Sequence, residues 1–229
     1  MTLQPYIIQW NVNGIKTRLR LGEIQRLINN YEPICICLQY LGQYDTPLKN
    51  CQLASQSMNP NDQLGTAIYV LNKATFETIQ IQTAELQYSA TKIHLGNGNK
   101  ITICNVYNQP AFNYDVDRLR TILNIFAQPV LLVGDLNGHS PLWDENCAAA
   151  DATGRKIENI IDELDLHCLN EEDTHTYVSS TNEDATSIDL TICTDTLANQ
   201  LDWGVLEGEI TIPAITTQYS LLAFITRNL

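Results

Sequence analysis

The sequence has little positive charge. Its 229 residues contain 13 lysines and arginines against 26 aspartates and glutamates, which gives a net charge of −13. A surface of this sign repels polyanions unless its few cations gather on one face. The one compact basic cluster is Lys16, Arg18, Arg20 and Arg26, and its spacing is typical of a solvated helix face. DNA is therefore a disfavoured partner, with a basic contact face on this helix as the alternative.

Cysteine pairing motifs are absent as well. The seven cysteines include no C-x-x-C pair, which argues against zinc, and their odd number argues against a disulfide framework. Cys35, Cys37, Cys104 and Cys193 lie in apolar runs, where a free thiol behaves as a small hydrophobic side chain. These features favour a reducing compartment, and we expect an intracellular protein.

Long apolar runs and linkers are also missing. No stretch approaches the roughly 18 apolar residues of a membrane span, and the N-terminus lacks a signal-peptide pattern. No low-complexity tract or fixed-period repeat divides the chain. We therefore expect one domain over residues 1–229 that does not associate with membranes.

One stretch, residues 130–143, combines an apolar run with polar residues of the kind found in active sites. Val130 to Val133 predict a buried strand, and Asp135, Asn137 and His139 follow it at alternating positions. An extended backbone would place these three side chains on one side, where they could bind a metal-bound phosphate or polarise water. Turn chemistry is the alternative interpretation of Gly-Asp-Leu-Asn-Gly.

The rest of the chain alternates predicted strands and helices. Apolar residues at helical spacing predict helices over 18–31, 115–126 and 153–164. Residues 43–61 are polar and aperiodic, and we expect a surface loop there. The predicted strands are 6–10, 34–38, 65–71, 75–83, 88–95, 100–107, 130–133, 166–169, 176–178, 187–193 and 221–225. Several end in polar or aromatic residues, so we predict an α/β sandwich whose site lies where these strand ends meet.

Five motifs in order resemble the endonuclease/exonuclease/phosphatase superfamily, and within it the apurinic-endonuclease-like domain of non-LTR retrotransposons. They are Trp10-Asn-Val-Asn-Gly14, Leu38-Gln39, Val106-Tyr107, Gly134-Asp-Leu-Asn-Gly-His139 and Ser187-Ile-Asp-Leu-Thr191. The resemblance covers essentially the whole chain. It implies a four-layer α/β sandwich, and hydrolysis of a phosphodiester with a divalent metal, usually magnesium.

The resemblance also implies a role for individual residues. Asn11 resembles the asparagine of the phosphate and metal site, and Tyr107 the tyrosine at the scissile phosphate. Asp135 resembles the aspartate that positions water, and Asn137 the asparagine that holds the phosphate. Asp189 resembles the aspartate that orients the catalytic histidine. His139 occupies a supporting position typical of the retrotransposon branch.

Other positions depart from the family pattern. Tyr40 stands where the family places its metal-binding glutamate, and Gln218 and Tyr219 stand where it places an aspartate and a histidine. Asp165-Leu-His167 and Asp173-Thr-His175 are alternative acid–histidine pairs, although loop or edge-strand polar residues are the favoured interpretation. Without the glutamate, magnesium loses its principal charged ligand. Tyr219 cannot replace an imidazole that titrates near neutrality.

We therefore expect a pseudo-nuclease that works as a protein-interaction or assembly module, with no bound metal or other cofactor, and nuclear rather than cytoplasmic. Tyr40 and Tyr219 are hypothesised to pack together and fill the former site. Two alternatives stay open. One is a magnesium-dependent endonuclease that nicks DNA through Asp135, Asn137 and Asp189, and the other is a nucleic-acid binder that does not cleave.

Overall fold

A computed structural model of the chain describes ten segments of the sequence. They are residues 6–14, 18–42, 47–59, 61, 63–80, 86–96, 98–112, 114–178, 185–206 and 222–226, with residues 64, 96 and 222–226 described by backbone alone. Within these segments the chain forms fourteen strands and four helices, with one 3₁₀ turn at Pro110–Phe112. The strands are β1 (Tyr6–Asn11), β2 (Cys35–Gly42), β3 (Cys51–Met58), β4 (Leu64–Leu71), β5 (Thr75–Thr78), β6 (Gln87–Gly96), β7 (Asn99–Tyr107), β8 (Val130–Asp135), β9 (Leu166–Cys168), β10 (Tyr177–Val178), β11 (Ala185–Thr186), β12 (Asp189–Thr194), β13 (Leu201–Asp202) and β14 (Leu222–Thr226). The helices are α1 (Arg18–Tyr31), α2 (Arg118–Ile125), α3 (Ala152–Glu163) and α4 (Asp195–Ala198).

The strands form two six-stranded mixed sheets and one small pair. The first sheet has the order β13-β14-β1-β2-β4-β3, the second has the order β5-β6-β7-β8-β12-β9, and β10 pairs with β11. Each large sheet has one parallel pair, β1 with β2 and β7 with β8. A helix joins the two strands of each pair, α1 in the first sheet and α2 in the second, as a parallel connection requires. The carboxyl ends of the paired strands consequently emerge at the same edge of each sheet.

Three apolar layers hold the sheets and helices together. Ile24, Leu27 and Ile28 of α1 pack on the outer face of the first sheet. Helices α2 and α3 pack in the same way on the second sheet. A third cluster, which includes Ile7 and Val133, lies between the two sheets. The order helix, sheet, sheet, helix confirms the predicted four-layer α/β sandwich.

The structure corrects several secondary-structure predictions. The predicted loop over 43–61 is wrong, because Cys51–Met58 forms β3 at the edge of the first sheet. An edge strand exposes part of its surface and tolerates polar residues, and register shifts break its alternation. Strand β2 continues to Gly42, so Gln39 and Tyr40 lie inside it, and β5 ends at Thr78. The short elements β11, β13 and α4 were not predicted.

The predicted basic helix face is wrong for Arg20. This side chain is buried, donates a hydrogen bond to the carbonyl oxygen of Val12, and lies 5.7 Å from the centre of the Trp10 ring. Arg26 forms an ion pair with Glu23 at 2.9 Å, and Lys16 lies outside the described residues. The four basic residues that are close together in the sequence therefore do not form a continuous basic face on α1. All seven cysteines have free thiols, and no helix within the described segments has the length and apolarity needed to cross a membrane.

Gly134 offers a test of how β8 fits between β7 and β12. It has φ +149°, and a Cβ atom there would lie 1.9 Å from the carbonyl oxygen of Val106. We expect Gly134→Ala to lower the free energy of unfolding by at least about 2 kcal/mol, because the methyl group overlaps backbone that cannot move away. Urea unfolding measures this change. The control is Gly22→Ala in α1, where nothing lies within 4 Å, and equal stability of the two variants would contradict the prediction.

Candidate functional site

The ends of the central strands enclose one cavity between the two sheets. Its volume is about 320 Å³. The lining residues are Asn11, Asn13, Tyr40, Tyr107, Pro110, Asp135, Asn137, His139, Tyr177, Thr186, Ile188 and Asp189. Every site residue predicted within the described segments is in this set. Gln218 and Tyr219 lie outside those segments, and so does the hypothesised contact of Tyr219 with Tyr40.

Asp135 is the last residue of β8 and is held by two donors. Asn11 Nδ2 donates to Asp135 Oδ2 at 2.6 Å, and the Asn137 backbone N–H donates to Oδ1 at 3.1 Å. Burial nevertheless raises the pKa of Asp135 to about 7, against the opposite effect of these hydrogen bonds. The loss of hydration therefore outweighs the hydrogen bonds at this position.

Asp189 lies directly opposite Asp135 in the antiparallel pairing of β12 with β8. Its Oδ1 accepts a hydrogen bond from Gln9 Nε2 at 3.0 Å. The pKa of Asp189 is raised well above its usual range, first by burial and then by the nearby charge of Asp135. Two buried carboxyl groups side by side disfavour double ionisation, so the pair tends to retain a proton.

Strand β1 supplies the amides that hold both carboxyl groups. Gln9 and Asn11 are two positions apart, so their side chains leave the strand on the same face. That face meets the second sheet, where Gln9 contacts Asp189 and Asn11 contacts Asp135. Gln9 was not among the site residues predicted from the sequence. A glutamine within the apolar run Tyr6-Ile-Ile-Gln-Trp10 was the available signal, because an isolated polar residue in a buried strand needs a partner.

Two tyrosine rings line one wall of the cavity. The ring centres of Tyr40 and Tyr107 are 5.7 Å apart with an angle of 20° between their planes, a stacked arrangement. Tyr107 is 5% exposed, whereas Tyr40 is half-buried. The Tyr40 side chain thus occupies part of the space next to Asn11 and Asp135.

The loop after β8 is not extended as predicted. Asn137 has a left-handed backbone with φ +46°, and its Nδ2 donates to the carbonyl oxygen of Asn108 at 3.0 Å. Trp143 Nε1 donates to Gly138 O at 3.2 Å, and the Asp151 N–H donates to His139 O at 3.0 Å. These contacts bring Asn137 and His139 to the cavity through a turn rather than through strand alternation.

The alternative acid–histidine pairs do not reach the cavity wall. His167 Nε2 lies 3.1 Å from Asp195 Oδ1 on the surface. His175 Nε2 contacts Asn146 Nδ2 at 3.0 Å, and its Nδ1 lies 3.8 Å from Asp144. Neither histidine is among the lining residues.

The residues around the cavity do not fit a family-type divalent metal site. Asn11 directs its N–H group at Asp135, and its Oδ1 accepts from the Asn13 backbone N–H at 3.0 Å. Tyr40, which the sequence resemblance aligns with the family's metal-binding glutamate, contributes a ring and no carboxylate. Across the described segments, no group of three or more His, Cys, Asp or Glu side chains is arranged to hold a metal ion. Hard divalent cations require several oxygen ligands, including carboxylates.

Comparison with known proteins places this geometry in a family. Residues 101–211 match the model of a family described as endonuclease-reverse transcriptase. A probable RNA-directed DNA polymerase from the transposon X-element of Drosophila melanogaster is 28% identical over 161 residues, which cover 68% of this chain. The endonuclease domain of TRAS1, a telomere-specific non-LTR retrotransposon, superposes with a TM-score of 0.79 at 18% identity, covering 98% of both chains. Together these matches support a retrotransposon endonuclease-like domain of the endonuclease/exonuclease/phosphatase superfamily.

Two further solved structures share the fold at lower TM-scores. A 3′-5′ exonuclease from Neisseria meningitidis has a TM-score of 0.68 at 16% identity, covering 96% of this chain and 99% of its own. An AP endonuclease from Archaeoglobus fulgidus has a TM-score of 0.65 at 16% identity, covering 97% and 99%. The chain spans 17% of the length of the X-element polymerase. The predicted family and fold are confirmed, while the roles of the individual site residues stay predictions.

The paired carboxyl groups predict an unusual dependence of stability on pH. Because their pKa values are raised by folding, the folded state keeps protons that an unfolded aspartate releases near its ordinary value of 3.8. Stability should therefore fall as the pH rises from about 4 through 7 and should level off only after Asp189 has also ionised, with a slope of at most about 1.4 kcal/mol per pH unit for each proton. Urea unfolding at several pH values measures this.

The matched variants are Asp189→Asn and Asp165→Asn. The Asp189→Asn substitution keeps an acceptor for Gln9 and removes one charge from the pair, so this variant should be more stable than the parent at pH 8 and show a flatter profile. Asp165 is exposed and already has a left-handed backbone, which asparagine tolerates. Equal pH profiles in the two variants would show that the buried pair is not the cause.

Proposed function

We propose that this domain is a pseudo-nuclease, which retains the retrotransposon endonuclease fold but does not hydrolyse phosphodiesters. The observation that carries the proposal is the stacked ring of Tyr40 in the cavity, since the sequence resemblance aligns this residue with the family's metal-binding glutamate. A neutral tyrosine hydroxyl lacks the negative charge of a carboxylate and is a poor ligand for magnesium. The two remaining carboxyl groups already bind the amides of β1.

The proposed loss of catalysis predicts that the domain leaves supercoiled plasmid intact at millimolar Mg²⁺ or Mn²⁺. Asp135→Ala is the matched control, because it removes the central carboxylate of any residual active site. Gel electrophoresis of both proteins, purified identically, measures nicking. Nicking by the parent that disappears in Asp135→Ala would contradict the proposal.

The second candidate is a metal-dependent DNA endonuclease. It is favoured by the fact that Asn11, Asp135, Asn137 and Asp189 still line one cavity. Isothermal calorimetry with Mn²⁺ separates the two candidates. On the pseudo-nuclease proposal the parent gives no binding heat at millimolar metal, whereas Tyr40→Glu gains measurable affinity and Tyr40→Gln does not.

The charge distribution supports a protein partner over DNA. Many of the described cations are already paired within the chain. Lys100 lies 2.6 Å from Glu77, and Lys156 lies 3.1 Å from Asp117. Phosphate contacts made by lysine and arginine supply most non-specific affinity for DNA, and the lysines and arginines of this chain are few. We propose that the domain works as an interaction or assembly module within a nuclear complex.

An interaction role predicts association that survives removal of nucleic acid. The tagged domain should co-sediment with a defined protein in stoichiometric amount from nuclear extract, both before and after treatment with a broad-specificity nuclease. Fluorescence anisotropy with duplex DNA should give no saturable signal at about 50 mM salt, where electrostatic DNA binding is strong. Association lost after nuclease treatment, together with DNA affinity that falls steeply with salt, would instead show a nucleic-acid binder.

A further inference from the structure

The two large sheets end in four outer strands, and β3 differs from the other three. Within the described segments, β13, β5 and β9 are two, four and three residues long. Each contains an ionisable side chain, Asp202, Glu77 or His167. Short length and charge are the usual features that prevent an outer strand from pairing with another chain. Strand β3 is eight residues long, and its sequence Cys-Gln-Leu-Ala-Ser-Gln-Ser-Met contains neither a charge nor a proline.

Strand β3 exposes apolar as well as polar side chains. Leu53 is 41% exposed and Met58 is 50% exposed, and Gln52 and Gln56 are exposed as well. One side of β3 pairs with β4, and no described strand pairs with its other side. The backbone N–H and C=O groups on the outer side of such a strand can extend the ladder to another extended segment.

The irregular register of β3 does not remove this surface. Bulges can bend an outer strand away from a partner, and the pairing with β4 shifts between Leu53 and Ser55. This shift is fixed from the interior, because Ser55 Oγ accepts a hydrogen bond from the Ala90 N–H of β6 at 3.1 Å. Ala54 and Ser55 are both buried there, and Leu53 beside them remains exposed. The strand is therefore anchored to the second sheet and still presents an apolar side chain to water.

We infer that β3 pairs in the antiparallel direction with β3 of a second copy of this chain, so that the first sheets of two domains form one continuous sheet. Electrostatics favours this occupant. Each copy has a net charge of −13, and two copies repel least where neither presents a charge. An antiparallel pair about a two-fold axis uses the same surface on both copies, and it lowers the exposure of Leu53 and Met58 on each.

The predicted dimer is small and weak. Stable interfaces bury about 1,200–2,000 Å² in total, and one pair of short strands falls below that range, so we expect a Kd between about 1 and 100 µM. The pairing surface is neutral while the copies repel each other at long range. Raising the salt concentration from about 50 to about 500 mM should therefore tighten the dimer, because it screens that repulsion. The inference does not depend on whether the cavity hydrolyses phosphodiesters.

The experiment is sedimentation equilibrium of the whole domain over a range of protein concentrations that spans this Kd. Gln56→Lys places a charge on the exposed side of β3 and should raise the dimer Kd at least about tenfold, because each copy then brings an ammonium group to the shared edge. Gln52→Lys is a second variant of the same strand. The matched control is Thr78→Lys, which adds the same charge to the exposed outer strand β5 and should leave the Kd within about twofold of the parent.

Hydrogen–deuterium exchange locates the interface. Protection of the backbone amides of residues 51–58 should increase with protein concentration in the parent and in Thr78→Lys, and should not increase in Gln56→Lys. Thermal unfolding verifies that every variant is folded.

Four results would overturn the inference. They are a monomer at every concentration, equal Kd values in Gln56→Lys and Thr78→Lys, concentration-dependent protection outside residues 51–58 alone, and protection of residues 51–58 that requires a different protein. The last result would assign the outer side of β3 to another partner. Plasmid nicking bears only on the proposed loss of catalysis, so the two proposals fail separately.

Discussion

The two amides of β1 and the two carboxyl groups opposite them are the contacts on which the cavity depends. Gln9 binds Asp189 and Asn11 binds Asp135, and each contact crosses from the first sheet to the second. A buried polar group without a partner costs about 1–3 kcal/mol, so loss of either amide would remove a donor from a buried carboxyl group and weaken the contact between the sheets. These contacts hold the strand ends together at the point where the site is built.

The layer between the sheets is polar beside the cavity and apolar away from it. Gln39 Nε2 donates to Asn105 Oδ1 at 2.5 Å, and Asn105 Nδ2 donates in turn to the carbonyl oxygens of Leu38 and Ala67. Ile7, Ile103 and Val133 belong to the apolar cluster of the same layer. A buried polar network contributes less to stability than an apolar core of the same size when some of its members lack partners. Gln9 Oε1 and Gln39 Oε1 are such buried atoms, so this half of the layer is organised around the site rather than for maximum stability.

The domain keeps the scaffold of a nuclease family while the chemistry of its cavity differs. The fold agrees with the TRAS1 endonuclease domain over 98% of both chains at only 18% identity, which shows how little sequence the sandwich requires. Function depends on particular side chains placed on the fold. The two acids of this cavity are buried, and each accepts a hydrogen bond from an amide of β1.

The amino-acid sequence by itself determined the features that depend on local patterns. Apolar residues at helical spacing predicted α1 over its full length, and polar residues at strand ends predicted which side chains line the cavity. The substitution at Tyr40 was also visible, because the motif before it is short and contiguous. Turn geometry was not predicted, since Asn137 reaches the cavity through a left-handed residue rather than along an extended strand.

Only the tertiary structure decided which groups meet. The partners Asn11 and Asp135 are 124 positions apart in the sequence, and Gln9 and Asp189 are 180 positions apart. The periodicity of a local sequence pattern does not specify which residues of distant strands lie opposite each other. The same reason explains β3, which is a strand because it pairs with β4 and not because of its own sequence pattern. The burial of Arg20 likewise depends on a tertiary contact, because α1 places this side chain against the Trp10 ring. Local sequence determines the elements and the candidate side chains, whereas the pairing of distant strands determines their contacts, their burial and the raised pKa of the two carboxyl groups.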